Sequence, residues 1–161
     1  MRISTGVTVN VSANTERWLS EIRSGRAFAG SATLAALAAN FSHIQLLNPA
    51  GSVITIVTRL LTLDLVVVGS AGVGTHNTAL TTLAGAGANL LSGGAASVGE
   101  IRSQTDVAQL GTYLSTYDLL ASSPIHFGGE WILELGAGEG IITSPGAVNV
   151  ANRTSFLWIE I

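Results

Sequence analysis

Glu130-Trp-Ile-Leu-Glu-Leu135 and, after a glycine- and proline-rich interval, Ser155-Phe-Leu-Trp-Ile-Glu-Ile161 both repeat with period two, and that period sets the fold class. In the first stretch Trp131, Leu133 and Leu135 share one face while Glu130 and Glu134 point the other way, the pattern of a half-buried strand. In the second, both alternating sets are apolar as far as Glu160. That strand is therefore expected to be covered on both sides, by a second sheet or by a neighbouring subunit.

Working back from this end, the same period recurs. Tyr113 to Leu120 has β character, Thr105 to Gly111 is expected to form one helical turn with Val107 and Leu110 three apart, and Gly69 to Gly99 reads as short strands among glycine-rich loops. Val53 to Val68 is a long β-branched run. With Ser42 to Leu47 and the turn Asn48-Pro-Ala-Gly-Ser52 before it, it predicts a hairpin. On its second strand Val53, Val57, Leu61, Leu63, Leu65 and Val67 are expected on one face and Ile54, Ile56, Leu60, Val66 and Val68 on the other. A strand of that length is expected to bend or bulge between Arg59 and Asp64. Ala27 to Ala39 is small and apolar, compatible with a close-packed strand or with an extended arm on another subunit. Asn14 to Gly25 fits a short helix carrying Trp18, Leu19 and Ile22 or a strand, with helix or loop preferred. Thr5 to Val11 alternates Val7, Val9 and Val11 as an opening strand. About eight turn-bounded strands without a dividing linker predict an all-β chain, an antiparallel β-sandwich over 41–161 with an N-terminal arm or strand/helix extension over 1–40.

Composition narrows the function. Only 11% of the 161 residues are charged against 47% hydrophobic, so Ser, Thr and Asn, or burial against other subunits, must replace charge in keeping the chain in solution. Charge-free runs at Ala27 to Thr58 and Leu65 to Gly99 fit the second route. Polar residues interrupt both, and Asp64 sits within the densest apolar stretch, so neither predicts a membrane span. The start, Met1-Arg-Ile-Ser-Thr-Gly, has no apolar signal core. All seven basic residues are arginine and the net charge is -3, which argues against a nucleic-acid partner.

Catalytic patterns are missing at the level of sequence. A Walker A loop needs lysine, which the chain lacks, and Gly136-Ala-Gly138-Glu-Gly140 opens no helix, so it reads as a turn. His43, His76 and His126 are too dispersed for a local metal motif and read as separate surface or turn residues. Glu130 and Glu134 lie roughly 13 Å apart along a strand, beyond the span of a glycosidase pair. Arg59 and Asp64 lie in an apolar strand and each needs a partner, within the chain or across a subunit boundary. Trp18, Trp131 and Trp158 suggest a sugar platform or, on the apolar face of Trp131, core packing. Asn40-Phe-Ser42 and Asn152-Arg-Thr154 match the glycosylation sequon and are read as coincidental. The chain is thus expected to be no enzyme, with no catalytic, cofactor-binding or metal residues, no cofactor and no small-molecule substrate.

Asn48-Pro-Ala-Gly-Ser52 before a long strand, the turn with Gly138 and Gly140, Ile141-Ile-Thr-Ser-Pro-Gly146, Asn149 and the closing Phe156-Leu-Trp-Ile-Glu160 together resemble small jelly-roll virion proteins of tailed bacteriophages. The resemblance covers Phe41 to Ile161. It implies a jelly roll, a homotrimer, binding without catalysis, and a place in the virion as a capsid decoration or cement protein in contact with the major capsid protein. The alternative is a receptor- or carbohydrate-binding sandwich of a phage tail, spike or fibre.

Overall fold

Alternating apolar residues build strands wherever one face has a core to meet, and a computed structural model, which describes residues 15–128 and 133–161, places twelve of them among those residues. In chain order they are β1 (Ala27–Leu34), β2 (Phe41–Leu47), β3 (Ile56–Leu65), β4 (Gly69–Thr75), β5 (Thr82–Ala86), β6 (Ala88–Asn89), β7 (Glu100–Asp106), β8 (Thr112–Leu119), β9 (Ile125–Gly128), β10 (Glu134–Leu135), β11 (Gly140–Pro145) and β12 (Asn152–Glu160). The expected strand at Thr5 to Val11 lies outside the described residues, as do Glu130 and Trp131.

Two antiparallel sheets result. One has the order β10-β3-β12-β1-β6, with β9 also paired to β3; the other runs β5-β7-β2-β11-β4-β8. The fold is all-β, a sandwich of two sheets whose inner faces supply the core: Phe28, Phe156 and Trp158 from the first meet Ile44, Leu46 and Ile101 from the second. Eight strands are wired as nested pairs, β1 with β12, β2 with β11, β3 with β9 and β4 with β8. The connection between β4 and β8 carries an insertion whose strands β5 and β7 widen the second sheet and whose β6 pairs with β1.

Several expectations change in detail. Ser42–Leu47 and the Val53–Val68 run do not pair with each other: β2 and β3 belong to different sheets, and the turn after Asn48 carries the chain from one to the other. Turn residues announce a reversal, not which sheet receives the next strand. Residues 27–34, grouped above with an N-terminal arm, are an inner strand of the first sheet, hydrogen-bonded to β12 through eight residue pairs from Ala27↔Ile159 to Leu34↔Asn152. Ala, Gly and Ser suit that position because the Ile101 side chain and the Trp158 ring pass close over Gly30. No helical turn forms over 105–111. β7 runs on to Asp106, whose carboxylate accepts the Ala108 N–H at 2.9 Å and fixes a turn there instead.

The bulge expected between Arg59 and Asp64 is present at Arg59, since Leu157 pairs with Leu60 and Trp158 with Thr58. One extra residue reverses the in/out alternation. Ile56 therefore shares the core with Leu61, Leu63 and Leu65, while Val57, expected beside them, faces outward. Beyond Leu65 the run leaves the sheet, and Val66 to Val68 are exposed.

The double-sided cover expected for the last strand is present only at its end, around Ile159, where the chain itself supplies it; on the same outer face Arg153 and Ser155 are exposed. Residues 15–23 form a helix, α1, closed by Gly25 at φ 72° with the Arg26 N–H bonded back to the Glu21 carbonyl and the Gly25 N–H to that of Ile22. Trp18 and Ile22 of α1 pack on Ala27, Val57 and Ile159, the outward residues of β1, β3 and β12. Trp158, next to Ile159 and on the opposite face, lies in the core with no exposed surface, its ring 6.1 Å from that of Phe28.

Candidate functional site

Glu160 is the most heavily engaged ionisable side chain among the described residues. It shares the inward parity of Phe156 and Trp158 on β12 and is buried. Its Oε1 accepts from the Ser97 hydroxyl at 2.6 Å, the Val98 N–H at 3.0 Å, the Gly99 N–H at 2.9 Å and the Trp158 indole N–H at 3.1 Å. Four donors meet one carboxylate oxygen, and Val98 also reaches Oε2 at 3.1 Å. The arrangement ties the segment before β7 to the end of β12 and leaves little of the carboxylate open to a reacting group. The sequence carried a signal for it: an acid at an inward position beside tryptophan needs buried donors.

A second polar group lies on the outer face of the second sheet. His43 and Gln45 alternate with core residues along β2 and so point away from the core, yet both are buried. Two connections fold over them. The Gln45 amide donates to the carbonyls of His76 (2.5 Å) and Thr78 (3.1 Å) and accepts the Leu80 N–H at 3.1 Å. Arg102, ion-paired with Glu100, donates to the Leu80 carbonyl at 2.9 Å, and Gln104 accepts the Thr81 N–H. His43 Nε2 lies 3.1 Å from the Ala108 carbonyl, while its buried Nδ1 meets no partner. Burial lowers the His43 pKa, against the opposing pull of the Ala108 carbonyl and the Asp106 charge, and burial lowers that of His76 as well. The row serves as pegs under two loops.

The remaining candidates are scattered. His43 is a core-depth strand residue, contrary to the surface or turn placement expected of it, because the 107–111 connection covers it. His126 is exposed on β9, its Nδ1 2.9 Å from the Thr62 hydroxyl. Asp64 pairs with Arg153 at 3.5 Å across β3 and β12, so the partner it needed lies in its own chain. Arg59, the bulge residue, pairs with no carboxylate among the described residues. Asn152 is buried, its amide donating to the Ser42 carbonyl at 3.0 Å and to Thr143, so no glycan fits there. Trp158 offers no face to a sugar, and Trp18 is half-covered by the sheet under α1.

Gly136 to Gly140 forms a turn with Gly138 at φ 79° and the Glu139 carboxylate folded onto the Gly136 N–H at 2.7 Å. Beside it Glu134, Glu139 and Asn77 line an open cleft of about 230 Å³, below the ~300–1,000 Å³ of ordinary ligand pockets. The described residues hold no group of three or more His, Cys, Asp or Glu side chains placed to share a metal ion, and no helix among them is long and apolar enough to cross a membrane. Compared with known proteins, the chain matches no family model, no curated sequence and no solved structure.

Proposed function

We propose that this is a non-enzymatic structural protein of a virion, a decoration or cement protein on the head of a tailed bacteriophage, which acts by binding copies of itself and other virion proteins such as the major capsid protein. One observation carries the non-enzymatic part: the polar side chains best placed to do chemistry, Glu160, His43, Gln45 and Arg102, are all engaged in holding loops to the sandwich. The nested strand pairing supports the jelly-roll part, being the wiring of one long hairpin rolled into two sheets. The virion role rests on the sequence resemblance, and the scarcity of charge is compatible with it, since lasting interfaces are depleted in charge. Mechanically, each bound copy adds contact area that exists only in the assembled shell, so binding shifts the equilibrium away from rupture.

The test uses heads prepared without this protein from the phage that encodes it. Purified protein should bind those heads at fixed stoichiometry and raise their rupture temperature, and it should ignore a glycan array. Failure to bind heads, or saturable binding to one class of sugar, removes the reading.

A further inference from the structure

β8 ends the second sheet, and among the described residues its outer side meets no strand. It is the longest such edge in the sandwich: β5 has five residues with a register shift between Leu83 and Gly85, β9 has four, and β6 and β10 have two each. Sheet edges are usually blunted by lysine, proline or a bulge. β8 contains neither residue, and its own register shift falls near its start, so Ser115 to Leu119 runs regularly against Val73 to Gly69. Leu114 is 51% exposed on it, and the only charge is Asp118. An edge of this kind offers a row of backbone N–H and C=O groups to any extended segment of matching alternation.

The chain contains such a segment. Residues 1–14 lie outside the described residues, and within them Thr5-Gly-Val-Thr-Val-Asn-Val11 sets Val7, Val9 and Val11 against Gly6, Thr8 and Asn10. β8 has the same division: Ser115, Tyr117 and Leu119 lie on the core side, where the Tyr117 ring is centred 4.7 Å from that of Phe127, and Thr116 and Asp118 lie on the other. Antiparallel pairing sets the valines beside the core side and the polar residues beside Thr116. It also brings Arg2, the one charged side chain of residues 1–14, to the Asp118 end of β8.

Chain length settles which copy of β8 is within reach. α1 begins at Thr15 and packs on the outer face of the first sheet, so roughly 20 Å, a helix layer and a sheet separation of ~10 Å each, divides it from the plane of the second. Val11 is four residues from Thr15 and lies at most about 14 Å from it. Thr5 to Val11 therefore cannot lie along β8 of its own sandwich. We propose that Thr5–Val11 of one copy adds as an antiparallel strand to β8 of a neighbouring copy, so that each subunit lends a strand and accepts one. The inference rests on the assembly reading above for its biological setting and deepens it by naming the joint between copies.

The chain has no cysteine, so introduced pairs report the joint directly. Thr116→Cys is combined in turn with Gly6→Cys, Thr8→Cys and Asn10→Cys, and each purified protein is oxidised mildly. The pair in register should give covalent multiples of 16.5 kDa on a denaturing, non-reducing gel, and Val9→Cys with Thr116→Cys, on opposite faces, should not. In sedimentation velocity at about 100 µM the wild type should be a small multiple of the monomer, and Thr8→Pro/Val9→Pro should weaken association at least ~10-fold, because one of those two N–H groups must face β8. An unchanged circular dichroism spectrum checks that the prolines leave the sandwich folded. Closure of the disulfide within one chain, an equal yield of dimer from Thr116→Cys alone, or no cross-link from any of the three pairs overturns the inference. So does a monomeric wild type, or association that survives the prolines. Strand exchange without head binding removes only the virion role, and head binding by a monomer removes only this joint.

Discussion

At the scale of single residues, the loop before β7 hangs on one carboxylate. Glu160→Ala leaves the Ser97 hydroxyl, two backbone N–H groups and the Trp158 indole without their acceptor, and buried donors stranded in this way cost about 3–5 kcal/mol. The urea midpoint should fall accordingly with its slope unchanged, and Glu160→Gln, which keeps an acceptor oxygen, should cost less than half as much. Gly87 works in the opposite sense, by omission: a Cβ there would meet the Trp158 ring and the Phe28 side chain, so Gly87→Ala should destabilise by about 1–3 kcal/mol through overpacking. A thermal melt of that variant beside Gly85→Ala, where a Cβ meets open space, would isolate the effect. Neither role follows from composition. The inward parity of Glu160 was legible in the alternation of its strand, and so was the Trp158 indole two residues before it, but the other three donors lie about sixty positions away in sequence, out of reach of any local pattern.

At the scale of elements, the connections over the second sheet rest on a histidine kept neutral by its surroundings. The His43 pKa is lowered in the folded protein from an unfolded value near 6.5, so below that pH the unfolded chain binds more protons than the folded one. Stability is therefore complete above about pH 6.5 and declines as pH falls below it. Thermal midpoints measured from pH 7.5 down to 5 should drop, and His43→Gln should flatten the profile, with the remaining slope belonging to groups such as His76, whose pKa is lowered in the same direction. Amide exchange over 107–111 should quicken first in wild type, since the Ala108 carbonyl is what His43 faces. Strand positions were largely readable in advance: β2, β3, β8 and β12 stand where period two and β-branching placed them. Their partners were not. Alternation says that a face is covered without saying by what, which is why β12 was open to a second sheet or a neighbouring subunit and is covered, at Ile159, by α1. The bulge at Arg59 was expected from length alone, yet its exact position decides whether Val57 or Ile56 enters the core.

At the scale of the whole molecule, composition conveyed the character of the surface better than any motif conveyed a site. The long charge-free runs resolve into strands β1, β2 and β4 to β6 and into connections, of which 35–40 and 66–68 lie at the end of the sandwich that 120–124 and 146–151 also close. That end could not be read linearly, because its side chains come from positions as far apart as Leu37 and Val148. The nested pairing has a further effect on how the molecule comes into being. β1 lies between β12 and the two-residue strand β6, so the first of the twelve strands to be synthesised waits for the twelfth. Contacts between such distant positions form slowly, because chain closure precedes any reward. Nascent chains arrested just before Asn152 should consequently remain open to protease throughout, whereas chains extended past Glu160 by the length of the exit tunnel should resist it. Maturation is then timed by translation of β12, and a truncated product would carry into the cell a β1 whose β12-facing edge has no partner.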